Sequence, residues 1–160
     1  LGEAGIDLPA SRIVEIPYSV ANGRRGLASI MALHPEITAV ICTSDLLAIG
    51  ALAESRALGY RVPRDLSITG YDDIDMAANT EPPLTSVHVP ASEIGRLAAD
   101  HVLALVAGAE VPPPAALPAP LVIRSSAAGP RDGLQTAPSR SGRSTSRPGI
   151  ASLHSASAKK

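Results

Sequence analysis

The chain has 160 residues, 45% of them apolar, which suits one compact domain of ordinary size. Aromatic residues make up 2% and Cys42 is the sole cysteine, which excludes base-stacking nucleic-acid binders, internal disulfides and multi-cysteine metal sites. The net charge of −1 is uneven: residues 1–128 carry eight Arg, no Lys and fourteen Asp or Glu, a net of −6, so this part is not a surface for gripping phosphates.

In chain order, Arg12 to Ile16 reads as a strand. Ser19 caps a helix running to about Leu33, with Leu27, Ile30, Met31 and Leu33 on its apolar side. Thr38 to Cys42 is a second strand without polar alternation, as expected when both faces are covered. Ser44 or Asp45 caps a helix that ends near Leu58, followed by Gly59 at C′ and Pro63 as a stop. Leu66 to Gly70 is a third strand. The loop from Tyr71 to Pro83 carries a short helix near 74–79. Leu84 to Val89 is a fourth strand, and Pro90 opens a helix over 91–107 with apolar positions 94, 97, 98, 101/102 and 105. After Pro112 to Pro114, Leu121 to Ile123 is a last short strand.

Strands alternating with helices predict an α/β fold with a mainly parallel sheet. Such sheets bind ligands beyond the carboxyl ends of their strands. Tyr18, Ser44-Asp45 and Tyr71-Asp72-Asp73 each lie just past a strand and are the candidate site. From Gly129 the texture changes to Ser, Arg, Gly, Pro and Ala, with a net of +5 from four Arg, two Lys and one Asp. No period there could bury a face, so 129–160 is expected to be a disordered basic tail. It reads as a low-complexity extension rather than a nucleic-acid arm.

No GxGxxG, GxxxxGK[ST], GxSxG or HExxH occurs, and His34, His88, His101 and His154 are dispersed. No nucleophile–base pairing is visible, and no enzyme, cofactor or metal is expected. Asp72, Asp73 and Asp75 are the densest acids, but one loop rarely supplies the oxygen shell of a hard cation. The expectation is instead that Asp72 accepts hydrogen bonds from a polar ligand while Asp73 and Asp75 cap the short helix. Tyr18 can stack on a sugar ring. Leu46 to Ala53 is apolar on every side, so Ile49, Leu52 and Ala53 form a candidate outer stripe, to be covered either by another element of the chain or by a partner chain. His101 reads as a packed or boundary residue and Cys42 as a small core residue. No run of about 18 apolar residues marks a membrane span.

Residues 38–124 resemble the carboxyl-terminal part of the sensor domain of the LacI/GalR family of bacterial transcription regulators. The resemblance rests on Thr38-Ala39-Val40 with Ser44 to Ala51, on Leu58 to Ile74, on Pro83 to Val87, on Gly95 to Ala98, and on Leu121 to Ser126. Residues 1–37 match more loosely. It implies an incomplete periplasmic-binding-protein-like (type I) sensor subdomain over 1–128. A small effector, a sugar or related metabolite, would bind between this subdomain and a second one. Asp72 matches the family's effector-binding aspartate, Ser44 a residue that is often Asn, and Tyr18 an aromatic that stacks on the effector. Ala91 replaces a further aromatic contact. Ile49 and Leu52, with Asp75, Asn79 and Thr80, match the family's homodimer surface.

The resemblance also implies that helix 91–107 docks on an amino-terminal subdomain. The start, Leu1 to Gly5, shows neither an initiator Met nor a signal peptide. The chain is therefore expected to be a cytoplasmic piece of a regulator, without the helix-turn-helix headpiece through which operator DNA would be read, and without a membrane partner. The alternative is the sugar-binding component of a transporter with the same fold. The segments Pro63 to Ser67 and Pro83 to Thr85 favour the regulator.

Overall fold

The computed structural model describes residues 2, 5–113 and 115–129. Apart from Gly129, the expected tail lies outside these residues. The first predicted strand does not form. The chain makes a 3₁₀ turn at Ala10–Arg12 and then runs extended from Ile13 without entering the sheet. Two ties hold the turn: Arg12 bonds Glu36 at 2.9 Å, and the His34 ring meets the Ser11 carbonyl at 3.2 Å. Ile16 and Val14 then lie against Gly26. Their apolar alternation is spent on a helix face, and propensity alone supplies no ladder partner.

Helix α1 spans Val20–Leu33, capped by Ser19, whose hydroxyl accepts from the Asn22 amide at 3.1 Å. Leu27, Ile30 and Met31 are buried as the helical period requires, but Leu33 is 72% exposed in the last turn. Strand β1 (Ala39–Ile41) is shorter than expected and is not covered on both faces, since Ile41 is 71% exposed. It is an edge strand, so only Val40 and Cys42 reach the core. Burial and the nearby Asp45 charge push the Cys42 thiol up to about 12, which keeps it a neutral core group.

Helix α2 (Asp45–Ala57) starts at the Ser44 cap and ends at Leu58, followed by Gly59 at φ +82. Strand β2 (Ser67–Asp72) carries the sheet on to a 3₁₀ turn at Asp75–Asn79 and to β3 (Thr85–His88). Helix α3 spans Ala91–Val106, and β4 (Leu121–Val122) returns to the sheet. The sheet order is β1-β2-β3-β4, with the first three strands parallel and β4 antiparallel to β3. Val40 pairs with Ile68, Gly70 with Ser86, and Asp72 with His88.

One apolar cluster holds this together. Leu27, Ile30 and Met31 of α1 meet Ala48, Ala51 and Leu52 of α2, above Leu66, Ile68, Ala77 and Leu84. Leu52 thus departs from the expected outer stripe and is 6% exposed. The all-apolar surface of α2 does not itself say which side faces α1. Gly23 and Gly50 settle it: a Cβ on either would strike the other helix's backbone. With those glycines inward, Leu52 turns inward too, and Ile49 is left half-buried.

Helix α3 has no buried residue. Ile94, Val102, Leu103, Leu105 and Val106 are all exposed, and only Leu97, His101 and Ala104 are partly covered.

Candidate functional site

The site lies at the carboxyl end of β1 and β2. The Cys42 amide donates to the Thr69 carbonyl at 2.9 Å, which keeps the two strand ends side by side. Ser44 and Asp45 follow β1. Strand β2 runs two residues beyond its expected end at Gly70, because Tyr71 and Asp72 still pair with Val87 and His88. Asp72 is therefore its last residue, and Asp73 and Ile74 follow it. The Asp45 carboxylate joins the two: it is fully buried, accepts from the Ile74 amide at 2.9 Å, and accepts from the Ser86 hydroxyl at 2.6 Å. Its seat depends on Gly70, since a Cβ there would collide with the Asp45 carboxylate. The first turn of α1 rests on the first turn of α2 through Gly23 and Leu47. Tyr18, just before the α1 cap, therefore stands at the same end of the fold.

The three candidate contacts differ in their state. Tyr18 is 65% exposed. Ser44 is 5% exposed, and its hydroxyl oxygen caps α2 by accepting from the Leu46 amide at 3.2 Å. Asp72 is half-buried, and its carboxylate makes no hydrogen bond or ion pair among the described residues. Its backbone has φ +116, followed by Asp73 at φ +55. Two consecutive side-chain-bearing residues in this region cost of order 1–3 kcal/mol each and persist only where the surroundings impose them.

The surroundings are a polar network. Arg124 Nη2 donates to Asp73 Oδ1 at 2.7 Å, and its Nη1 donates to the Leu84 carbonyl at 2.7 Å. The His88 Nδ1 meets Asp73 Oδ2 at 3.1 Å, and the Asp73 amide donates to Ser86 Oγ at 3.2 Å. Burial pushes the Asp73 carboxyl up. The hydrogen bonds and charges of Arg124 and His88 outweigh this and hold it below its ordinary value. Ser126 adds a second buried stitch: its hydroxyl donates to the Ile68 carbonyl at 2.6 Å and accepts from the Thr85 amide at 2.8 Å.

Asp73 therefore does not cap the short helix. That turn begins at Ile74 without a side-chain cap, because Asp73 is turned toward Arg124 and His88. Asp75 and Asn79 are exposed on the turn, and Asn79 Nδ2 donates to the Asp75 carbonyl at 2.8 Å. Thr80 is half-buried and donates to the Ala77 and Pro82 carbonyls. Ser86, Arg124 and His88 escaped the sequence reading, as did the buried bridging role of Asp45, since Arg124 is 51 residues from Asp73 and Ser86 is 41 from Asp45. The one local signal was the Asp-Asp pair itself.

A separate groove of about 560 Å³ lies between Tyr71, Val89 and the α3 face bearing Ile94, Leu97 and His101. It is apolar apart from Tyr71 and His101, and the His101 Nε2 already meets the Pro112 carbonyl at 2.9 Å. Among the described residues no cluster of His, Cys, Asp and Glu could hold a metal, and no helix is long and apolar enough to cross a membrane.

An open, mainly parallel sheet, with a carboxylate at its carboxyl edge that has no partner among the described residues, defines an α/β ligand-sensor subdomain. The periplasmic binding protein-like domain family matches residues 1–127, and the chain belongs to that family. The ribose operon repressor of Haemophilus influenzae is 41% identical over 103 residues, which cover 64% of this chain and 31% of the repressor. A sugar-binding transcriptional regulator of the LacI family from Escherichia coli, solved with phosphate, superposes with a TM-score of 0.73 at 28% identity, covering 81% of this chain and 46% of that one. The transcriptional regulator CelR in complex with cellobiose superposes with a TM-score of 0.71 at 32% identity, covering 78% of this chain and 38% of that one. The chain thus spans about a third of the length of the curated relatives it matches.

Proposed function

We propose that the chain is the carboxyl-terminal part of the effector-sensing and dimerisation domain of a DNA-binding transcriptional regulator. Asp72 carries this reading. A half-buried carboxylate without a partner among the described residues, on a backbone held in a costly conformation, is an unspent acceptor for a polyhydroxylated ligand. Tyr18 offers an exposed ring at the same end, and Ser44 retains its hydroxyl proton for donation. The sugar-binding regulators among the relatives support a sugar as the effector class.

Effector would close this subdomain on a second one and shift the affinity of a linked DNA-binding headpiece. Asp75, Asn79 and Ile49 would contribute to a homodimer surface, with Thr80 at its margin. Leu52 would support that surface from within the core. The reading assigns no reaction and no cofactor to the chain, and it places the regulator in the cytoplasm, where its DNA is.

The test is a chimera joining this chain to the headpiece and amino-terminal sensor half of a LacI-type regulator. Operator binding is followed by fluorescence anisotropy against a panel of sugars. The reading requires at least one sugar to change operator affinity, and requires Asp72→Ala to abolish that response. A chimera that folds and binds operator but answers Asp72→Ala and wild type alike would overturn the assignment.

A further inference from the structure

We infer that Arg124 and Asp73 are positioning residues of the ligand site: their ion pair clamps the turn after β2 and thereby aims the Asp72 carboxylate. The inference rests on the sensor reading above, which makes Asp72 the ligand contact. The turn is held at successive points. The Val89 amide donates to the Asp72 carbonyl at 3.3 Å, the Asp73 amide is held by Ser86, and the Ile74 amide is held by Asp45. Three successive backbone groups of the turn are thus tied, while the Asp72 carboxylate has no partner among the described residues.

The Asp73 carboxylate is the member of this set that reaches across the sheet. Arg124, just after β4, grips it while also gripping the Leu84 carbonyl just before β3. Both side chains are largely buried, at 19% and 13% exposure. The guanidinium fork fits this double task, because its fixed geometry can address two acceptors at once. Residue 73 can leave the left-handed region only by breaking that pair, and residue 72 is coupled to it through the shared peptide. The device therefore reads as preorganisation: the contact group is fixed by neighbours that never touch the ligand.

The test uses the full chain and hydrogen exchange at residue resolution, with D-ribose and cellobiose as probes. In Arg124→Gln, the Asp73 and Ile74 amides are expected to exchange about tenfold faster or more, while the β2–β3 ladder amides keep their protection. Arg124→Lys, which keeps the charge but not the fork, should restore part of that protection. Asp73→Gly also removes the clamp while easing the left-handed backbone, and it is the second variant to read if Arg124→Gln fails to fold. It should loosen Ile74 in the same way. Unchanged exchange at Ile74 in either folded variant overturns the clamp. Uniform loss across the ladder in both also overturns it, by showing a purely structural role. The sugars report on the underlying reading separately. If neither sugar protects the turn in the chimera that supplies the second subdomain, or protection there survives Asp72→Ala, Asp72 is not their contact, and the exchange arm on the chain itself still decides the clamp.

Discussion

Arg124 Nη2 lies 2.7 Å from Asp73 Oδ1, tying the chain after β4 to the turn after β2 across 51 residues of sequence. The pair is largely buried, so solvent screens it less than the surface pairs of α3, such as Arg96 with Asp100. Removing one partner leaves the other poorly solvated, which costs more than the pair itself contributes.

The pH dependence of stability follows from the same contact. The folded Asp73 carboxyl titrates below its ordinary value of 3.8. Between those two values the unfolded chain binds the proton and the folded one does not, so acid favours unfolding. The contribution is therefore complete above the ordinary value and is lost as pH falls through the folded value. Chemical denaturation should show Asp73→Asn flattening the acid limb of stability below about pH 4, with little change in its slope from pH 5 to 8. An acid limb identical in wild type and variant would show that Asp73 does not carry this linkage.

Ligand contact should separate neighbouring acids. Two charge-assisted hydrogen bonds from Asp72 to sugar hydroxyls are worth on the order of 3 kcal/mol, roughly a hundredfold in affinity. Calorimetry on the chimera described above is expected to lose detectable binding with Asp72→Ala and to keep it with Asp75→Ala, whose side chain is exposed on the 3₁₀ turn. Equal affinities for wild type and Asp72→Ala would remove Asp72 from the site.

The crossing of α1 and α2 gives a packing prediction. Gly50 has no room for a Cβ against Val20 and Arg24 backbone. Alanine would gain about 1 kcal/mol of helix propensity there, yet the helices would have to separate and open the layer of Leu27, Ala51 and Leu52. Gly50→Ala is expected to destabilise the chain by roughly 1–3 kcal/mol in urea denaturation. A stabilised variant would show that α1 is free to slide.

These elements mark where the sequence was legible and where it was not. Ser19, Ser44 and Gly59 announced both helix ends locally, because a cap acts within one turn of its residue. The run from Arg12 to Ile16 had strand composition, but a strand exists only through a ladder partner, and this run lies on α1 instead of pairing with the β1 edge. Asp72 was visible as an acid at a strand end, though the strand proved to include it. The clamp was not, because Arg124, Ser86 and Asp45 meet Asp73 and Ile74 only once β2, β3 and β4 have paired. Leu52 was misplaced because a helix apolar on all sides carries no period to read.

Helix α3 yields the last expectation. It is amphipathic, yet no residue of it is buried, and Val102, Leu103, Leu105 and Val106 are 58–82% exposed. Covering four such side chains is worth roughly 6–10 kcal/mol, comparable with the stability of a whole domain. Nothing among the described residues covers them, and the α1–α2 core is already complete without α3. The chain in solution should therefore lower its free energy by joining α3 surfaces between copies. Sedimentation velocity is expected to show concentration-dependent association, and an apolar dye should bind. The double substitution Val102→Glu with Leu105→Glu should reduce both without lowering the melting temperature, because neither side chain belongs to the core. A monodisperse wild-type monomer that binds no dye would mean that α3 packs away its apolar face within the chain. In that case the same substitutions would lower the melting temperature.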